Sequence, residues 1–135
     1  MSIEFRGLEE VLESIEELAD TTKIEAGLAK AALIVERAAK QKAPKGVGEL
    51  RRSITSKVED LEGVVYTPLE YAPYVEYGTG LFAENGGRKD VPWNYKDDKG
   101  EWHTTSGMKP QPYMRPALNE NREEIVRVIK EEMQK

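Results

Sequence analysis

The sequence predicts an α+β domain in which a small antiparallel sheet of two hairpins is packed by a long N-terminal helix and a C-terminal helix. Three observations lead to this prediction. Apolar residues recur at helical spacing over residues 22–42, period-two alternation follows between residues 50 and 67 and again between 93 and 104, and helical spacing returns at the end. The 135 residues suit one modest core, so we expect residues 1–135 to form a single domain.

The first third of the chain is predicted to be helical. Leu8 to Ala19 places apolar residues at helical spacing with glutamates opposite, which predicts an amphipathic helix of about three turns, and we assign residues 1–20 to this N-terminal helix. Thr22, followed three residues later by Glu25, is a capping-box pattern for a second helix that runs to about Lys42, before Ala43-Pro44. The interior of this second helix is rich in alanine, so we expect it to approach another element closely.

Two hairpins and a last helix are predicted to follow. A strand from Leu50 through Val58 pairs with Val64 to Thr67, and Trp93 to Thr104 forms a second hairpin around the turn Asp97 to Gly100. Residues 80–92 combine glycine with charged residues, which predicts a mobile loop. Pro116 suits the first turn of the last helix, which continues nearly to the end of the chain.

The composition excludes several classes of protein. The chain has no cysteine, which excludes disulfides, a thiolate nucleophile and a zinc site built on sulfur. No apolar run approaches the ~20 residues that span a bilayer, and Met1 to Arg6 lacks the regions of a signal peptide, so we expect no membrane association and synthesis inside the cell. A net charge of −5 provides no overall attraction to nucleic acid.

The charges are nevertheless unevenly distributed along the sequence. Residues 9–20 and 120–132 are rich in acids, whereas one stretch holds seven bases against Glu49 alone: Arg37, Lys40, Lys42, Lys45, Arg51, Arg52 and Lys57. Such polarity suits head-to-tail packing of identical subunits, and we favour a solvated face or a subunit contact of this kind over nucleic-acid binding. The alternative is a nucleic-acid-binding module that uses this basic stretch, with Trp93 and Trp102 as stacking groups.

Signals for catalysis are weak. The only histidine, His103, lies in a predicted hairpin, and no serine stands in a nucleophile-elbow pattern. Asp90, Asp97 and Asp98 are better explained by turns than by a cation, and the glycines lack the ending of a phosphate-binding loop. We therefore expect no enzyme, no catalytic residues, no metal site and no cofactor, with a hydrolase built on His103 as a third hypothesis.

The segment Tyr71 to Gly80 is the most distinctive part of the sequence. Pro73 suits the start of a short helical turn, and Gly78 suits its end. The tyrosines could pack a corner onto a sheet or form a docking surface, and we expect the segment to do both. In this interpretation Tyr74 is a buried aromatic that stabilises the turn, whereas Glu76 and Thr79 face a neighbour.

Four segments in this order resemble a known family: Ala43-Pro44, Gly48 to Ile54, Tyr71 to Thr79, and Pro110 to Ala117. Together they are similar to small minor tail proteins of long-tailed phages and prophages, the tail-completion or head–tail joining proteins of the lambda minor tail protein Z group. The resemblance covers roughly residues 23–134. Val47 departs from it, because family members often carry a polar residue there.

The resemblance implies a non-catalytic α+β subunit that forms a ring, commonly hexameric, at the head-proximal end of the tail tube or in the neck. Its implied partners are further copies of the chain, the tail-tube protein and head–tail connector proteins, with DNA passing through the lumen without tight binding. The protein would be part of the virion and assemble in the bacterial host cytoplasm. We expect residues 81–91 to act as an assembly arm, beside interface residues Arg51, Arg52, Tyr74, Glu76, Tyr77, Thr79, Gly80 and Arg115.

Overall fold

The computed structural model describes residues 1–6, 21–46, 48–84, 90–97 and 99–135. In chain order the elements are β1 (Ser2–Arg6), α1 (Thr21–Lys42), α2 (Gly48–Ser53), β2 (Thr55–Glu59), β3 (Glu62–Tyr66), α3 (Ala72–Tyr77), a 3₁₀ turn (Gly80–Phe82), β4 (Trp93–Lys96), β5 (Trp102–Thr105), α4 (Met114–Asn119) and α5 (Arg122–Met133). The predicted α+β class, with small antiparallel sheets and long helices near both ends, is confirmed. The predicted helix from Leu8 to Ala19 and the position of Val47 lie outside the described residues.

The described residues divide into two compact units. Unit 1 comprises Met1–Leu69 and Tyr113–Lys135, and unit 2 comprises Glu70–Pro112. The expectation that the whole chain is one domain stays a prediction. Among the described helices, none combines the length and the apolar character that crossing a bilayer requires.

Helix α1 is the central element of unit 1. It contacts α2, α4, α5, β2 and β3 through a buried face made largely of small residues: Ile24, Gly27, Leu28, Ala31, Ala32, Val35 and Ala39. At Gly27 an added Cβ would lie only 3.0 Å from the Cα of Ile129 in α5, so the two helix backbones nearly touch. The close approach predicted from the alanine content is therefore confirmed.

The sheet of unit 1 has the antiparallel order β1-β3-β2. In the central strand Gly63 and Val65 are buried, and Gly63 stands opposite Phe5 in β1 and Val58 in β2. The ring of Phe5 occupies the space above Gly63, because a Cβ added there would lie 2.5 Å from a ring atom. Strand β1 takes the place of the first residues of the N-terminal helix predicted for residues 1–20, and the alternation of Ile3 and Phe5 with polar residues is the signal that indicates it.

Two predicted boundaries are wrong. Gly48–Ser53 is helix α2, and the strand begins only at Thr55. Leu50 and Ile54 are buried while Arg52 between them is exposed, which a strand with alternating faces would not produce. The Ser53 hydroxyl also donates to the Leu50 carbonyl at 2.7 Å.

The last helix is also interrupted. Its predicted single span is divided into α4 and α5, because the side-chain amide of Asn121 donates to the Ala117 carbonyl at 2.8 Å and competes with the helical backbone bonds.

Unit 2 is organised by a contact between two backbone segments, Gly78–Leu81 and Ser106–Met108, which we call the glycine clamp. The amides of Thr79 and Leu81 donate to the carbonyls of Met108 and Ser106, each at 2.9 Å, and the Met108 amide donates to the Thr79 hydroxyl at 2.9 Å. A Cβ on Gly107 would lie 2.1 Å from the Thr79 carbonyl oxygen. The two segments can therefore approach this closely only because residue 107 is glycine.

The predicted short helix and second hairpin of unit 2 are confirmed. Helix α3 ends at Gly78, whose φ of +82° favours glycine. In the hairpin of β4 and β5, one carboxylate oxygen of Asp97 accepts from the amides of Lys99 and Glu101, each at 2.9 Å, and the other lies 2.6 Å from Nε2 of His103. The His103 contact, followed by the backbone amides, holds the pKa of Asp97 below its usual value.

Gly63→Ala tests the packing of Phe5 on the central strand. The added methyl group would displace the buried ring, so we expect the variant to unfold about 1–3 kcal/mol more easily in urea. Gly46→Ala is the matched control, because nothing lies within 4 Å of its Cβ position. Equal midpoints for both variants would contradict this account of the sheet.

The carboxylate of Glu132 in α5 gives unit 1 a dependence on pH. One carboxylate oxygen accepts a hydrogen bond from Nζ of Lys135 at 2.7 Å, and the carboxylate also forms a salt bridge with Lys30 of α1. Both lysines lower the pKa of Glu132 from its ordinary value of 4.5, and Lys135 has the larger effect. A lowered pKa stabilises the fold fully above that value, and the contribution is lost as the pH falls through the folded-state pKa. In urea titrations at several pH values, Glu132→Gln should flatten the loss of stability below about pH 4.5. Glu123 is exposed on the same helix, so Glu123→Gln should leave the dependence of stability on pH as it is in the parent protein. If Glu132→Gln also left it unchanged, the proposed role of Glu132 and its two lysines would be wrong.

Gly107→Ala tests the glycine clamp. Its φ of +118° and the overlap with Thr79 should together destabilise unit 2 by about 2 kcal/mol or more, seen as faster hydrogen exchange at the Thr79 and Leu81 amides. Gly100→Ala shares a positive φ of +82° but meets only a lysine side-chain carbon at 3.5 Å. If the Thr79 and Leu81 amides exchanged hydrogen at the same rate in both variants, the proposed role of the glycine clamp would be wrong.

Candidate assembly surface

Exposed apolar surface is concentrated in unit 2. Of the eight large hydrophobic side chains that are exposed in the described part of the chain, seven belong to this unit, and only Leu33 does not: Tyr74, Tyr77, Leu81, Phe82, Tyr95, Trp102 and Met108. Four of them fall within nine residues, on α3 and the 3₁₀ turn. Surface of this kind is typical of a contact site for another molecule.

Two of these four side chains, Tyr74 and Tyr77, line a shallow cavity of about 310 Å³, which we call the tyrosine cavity. It is lined by Pro73, Tyr74, Tyr77, Gly78, Thr79, Gly80 and Ala83. Tyr74 and Tyr77 stand one helical turn apart on α3, and the glycine clamp fixes the backbone of residues 78–81 beside them. The cavity is thus mostly apolar, with tyrosine and threonine hydroxyls available for hydrogen bonds.

The structure brings four of the predicted interface residues together at this cavity, namely Tyr74, Tyr77, Thr79 and Gly80. It does not support the expected roles of Tyr74 and Glu76. Tyr74 is 58% exposed, whereas Glu76 is fully buried. The reason is the rotation of α3: Ala72, Val75 and Glu76 form its buried side, which leaves both tyrosines outside.

The burial of Glu76 requires internal partners for its charge. Within the described residues no buried side-chain nitrogen or oxygen lacks a hydrogen-bond partner, so the carboxylate is satisfied inside the chain. Glu76 therefore has a structural position in the folded subunit, and a direct contact with a neighbour has no support from its burial.

The three predicted arginines belong to unit 1. Nε of Arg51 donates to the Lys40 carbonyl at 2.9 Å, which satisfies one of the last free carbonyls of α1. Arg52 is exposed on α2, and Arg115 is half-buried in α4. Arg51 is therefore part of the connection between two helices, a role that its sequence neighbourhood did not indicate.

The basic stretch that supported nucleic-acid binding is partly neutralised within the chain. Three lysines of this stretch place Nζ close to a glutamate carboxylate oxygen. The distances are 2.5 Å for Lys42 and Glu120, 3.1 Å for Lys57 and Glu59, and 3.7 Å for Lys40 and Glu36. Trp93, proposed as a stacking group, packs against Gly80, since a Cβ there would lie 2.7 Å from its ring. These contacts reduce the charge and the aromatic surface that a nucleic acid could use.

His103 has a structural explanation. Its ring stacks on Tyr95 with centroids 5.3 Å apart, and Asp97 contacts its Nε2. Asp97, Glu101 and His103 are the group among the described residues whose ligand atoms lie close enough together to hold a metal. Both carboxylate oxygens of Asp97, however, already hold the hairpin turn, as turn chemistry predicted.

Leu81 and Phe82 belong to the expected assembly arm of residues 81–91, but no ordered structure was predicted for them. They fall in the predicted mobile loop, yet residues 80–82 form a 3₁₀ turn in which the Phe82 amide donates to the Thr79 carbonyl at 3.2 Å. Two adjacent large apolar residues between glycine and charged residues were the available signal. Residues 85–89 of that loop lie outside the described residues.

Comparison with known proteins bears on this surface. The family model described as "Bacteriophage HK97-gp10, putative tail-component" matches residues 6–78, which include α3 and both tyrosines of the cavity. No curated protein and no solved structure matches the chain. This match confirms the predicted relation to phage tail proteins, but it does not support the lambda minor tail protein Z group in particular. Because the match covers more than half of the sequence, the chain belongs to the HK97-gp10-like family of phage tail components.

Proposed function

We propose that the protein is a structural component that completes the phage tail and joins it to the head, acting as a ring of identical subunits at the head-proximal end of the tail tube or in the neck. The observation that carries this proposal is the tyrosine cavity and the exposed apolar side chains around it. Membership of a tail-component family supplies the setting. In this role the protein is a virion part, and its function lies in contacts rather than catalysis.

The chemistry of the surface fits a protein contact. Tyrosine is enriched in the central residues of interfaces, because its ring buries a large area and its hydroxyl can still bond a partner. Thr79 and the glycines beside it are held by the clamp, so the surface needs little ordering when a partner binds. The partners we propose are further copies of the chain, the tail-tube protein and head–tail connector proteins.

The charge pattern is compatible with a ring through which DNA passes. The net charge of −5 and the internal salt bridges of the basic stretch disfavour tight binding of a polyanion. Exposed bases such as Arg52 and exposed acids such as Glu123 lie on different helices of unit 1. Opposite charges on different surfaces suit a heterologous contact, which closes into a ring when the rotation permits.

The proposal is tested by light scattering after size exclusion and by negative-stain images of the protein, alone and mixed with tails that lack it. We expect rings, or density at the head-proximal end of the tails. If assembly requires the tail as a template, the protein stays monomeric in isolation, so a monomer in isolation is compatible with the proposal. A protein that stays monomeric at high concentration and binds neither tails nor connectors would overturn it.

Tyr74→Ala separates assembly from folding. Because the side chain is 58% exposed, the free energy of unfolding should change by less than about 1 kcal/mol, while association with tails or with further copies should weaken at least about tenfold. The matched control is Leu33→Ala, a 51% exposed apolar residue of α1, which should change neither quantity. If Tyr74→Ala bound as tightly as the parent, the tyrosine cavity would not be the contact.

A further inference from the structure

We propose that Trp102, at the tip of the hairpin, inserts its indole into the tyrosine cavity of a neighbouring copy, so that copies join head to tail. This inference rests on the proposed function, which requires contacts between identical subunits, and it names the two surfaces that meet. The cavity receives an aromatic side chain of the same protein.

Trp102 is suited to be the inserted group. It is 69% exposed, the highest value among the exposed large hydrophobic side chains of the described residues. It pairs with Lys96 at the turn end of the hairpin, whereas Trp93 at the other end packs on Gly80. With about 3.3 Å per residue, the tip lies about 10 Å along the strand from this anchor.

The hairpin presents the indole on a rigid support. The Asp97 carboxylate accepts two backbone amides in the turn, and the Thr104 hydroxyl donates to Asn94 across the strands at 2.6 Å. A two-stranded hairpin in water is only marginally stable without further packing. Inserting its most exposed aromatic residue into a partner therefore removes apolar area from water and adds packing to the hairpin.

The cavity is suited to receive an indole. Trp102 is not among the residues that line the cavity of its own chain. Two tyrosine rings, a proline and glycine backbone offer apolar walls, and aromatic rings pack well edge-to-face or offset. The hydroxyls of the tyrosines and Thr79 can accept the indole N–H.

The charges beside the two surfaces are complementary. Nζ of Lys96 lies 6.0 Å from the centre of the Trp102 ring, so a cation accompanies the indole. At the cavity, exposed Glu84 follows the lining residue Ala83, and its amide donates to the Tyr77 carbonyl at 3.0 Å. Insertion of the indole brings a lysine toward a carboxylate, which favours this orientation over a contact between two like surfaces.

The contact is heterologous and small. Each copy offers one indole and one cavity, so successive copies add in one direction and close into a ring when the rotation permits. A single aromatic side chain buries about 150–250 Å², well below the ~1,200 Å² of a stable interface. We therefore expect weak association in dilute solution, strengthened where several copies are held together on a tail.

Disulfide trapping tests the contact, because the chain has no cysteine of its own. Thr104→Cys places a thiol beside Trp102 on the same face of the hairpin, and Ala83→Cys places one in the cavity wall. When the two variants, one carrying a size tag, are mixed at high concentration and mildly oxidised, we expect a mixed dimer. Leu33→Cys mixed with Ala83→Cys measures random collision, and a yield no greater than this would overturn the contact.

A second substitution identifies the indole as the cause. Adding Trp102→Ala to the Thr104→Cys chain should lower the mixed-dimer yield at least about tenfold. Adding Tyr95→Ala instead, an exposed aromatic on the other face of the same hairpin, should leave the yield unchanged. Equal yields from these two variants would show that the hairpin does not dock through Trp102.

The trapping result is independent of the test of the proposed function. If the parent protein binds tails while the cysteine pair gives only the collision yield, the insertion of Trp102 is wrong and the proposed function stands. If the mixed dimer forms specifically but the parent binds neither tails nor connectors, the contact stands and the proposed function fails.

Discussion

Unit 1 depends on the near-contact of two helix backbones at Gly27 and Ile129. A single helix can serve as the centre of a small core only if elements on several sides of it come close, and small side chains allow this. The glycine and alanines of α1 bring α5 within reach while the same helix also contacts the sheet. The core needs no disulfide for this reason, and the pair of Lys30 and Glu132 joins the same two helices at the surface.

Unit 2 also depends on glycine, but for a contact between two backbone segments rather than between two helices. Its described residues bury few large side chains, so backbone hydrogen bonds between Gly78–Leu81 and Ser106–Met108 take the place of a broad apolar core. This arrangement leaves aromatic side chains outside the unit. Exposed apolar groups normally cost solubility, and a rigid backbone that holds them in place is consistent with their use as contact groups.

Local signals predicted much of this architecture. The span of α1, the end of α3 at Gly78 and the second hairpin follow from capping, glycine and turn residues, whose effects act over a few positions. Burial could not be predicted in this way. Glu76 is inside because partners within the chain satisfy its carboxylate, and Tyr74 is outside because α3 turns its other side inward. Local pattern also failed at Leu50, where two core residues four apart looked like part of a strand.

Unit 1 is built from two separate stretches of sequence, and unit 2 is the 43-residue segment between Leu69 and Tyr113. During translation, α5 emerges after the whole of unit 2, so the helix pairing at Gly27 is completed last. The family match ends at Gly78, before the hairpin. The two stretches that build unit 1 therefore meet only after the segment that carries the tyrosine cavity and the hairpin has been synthesised.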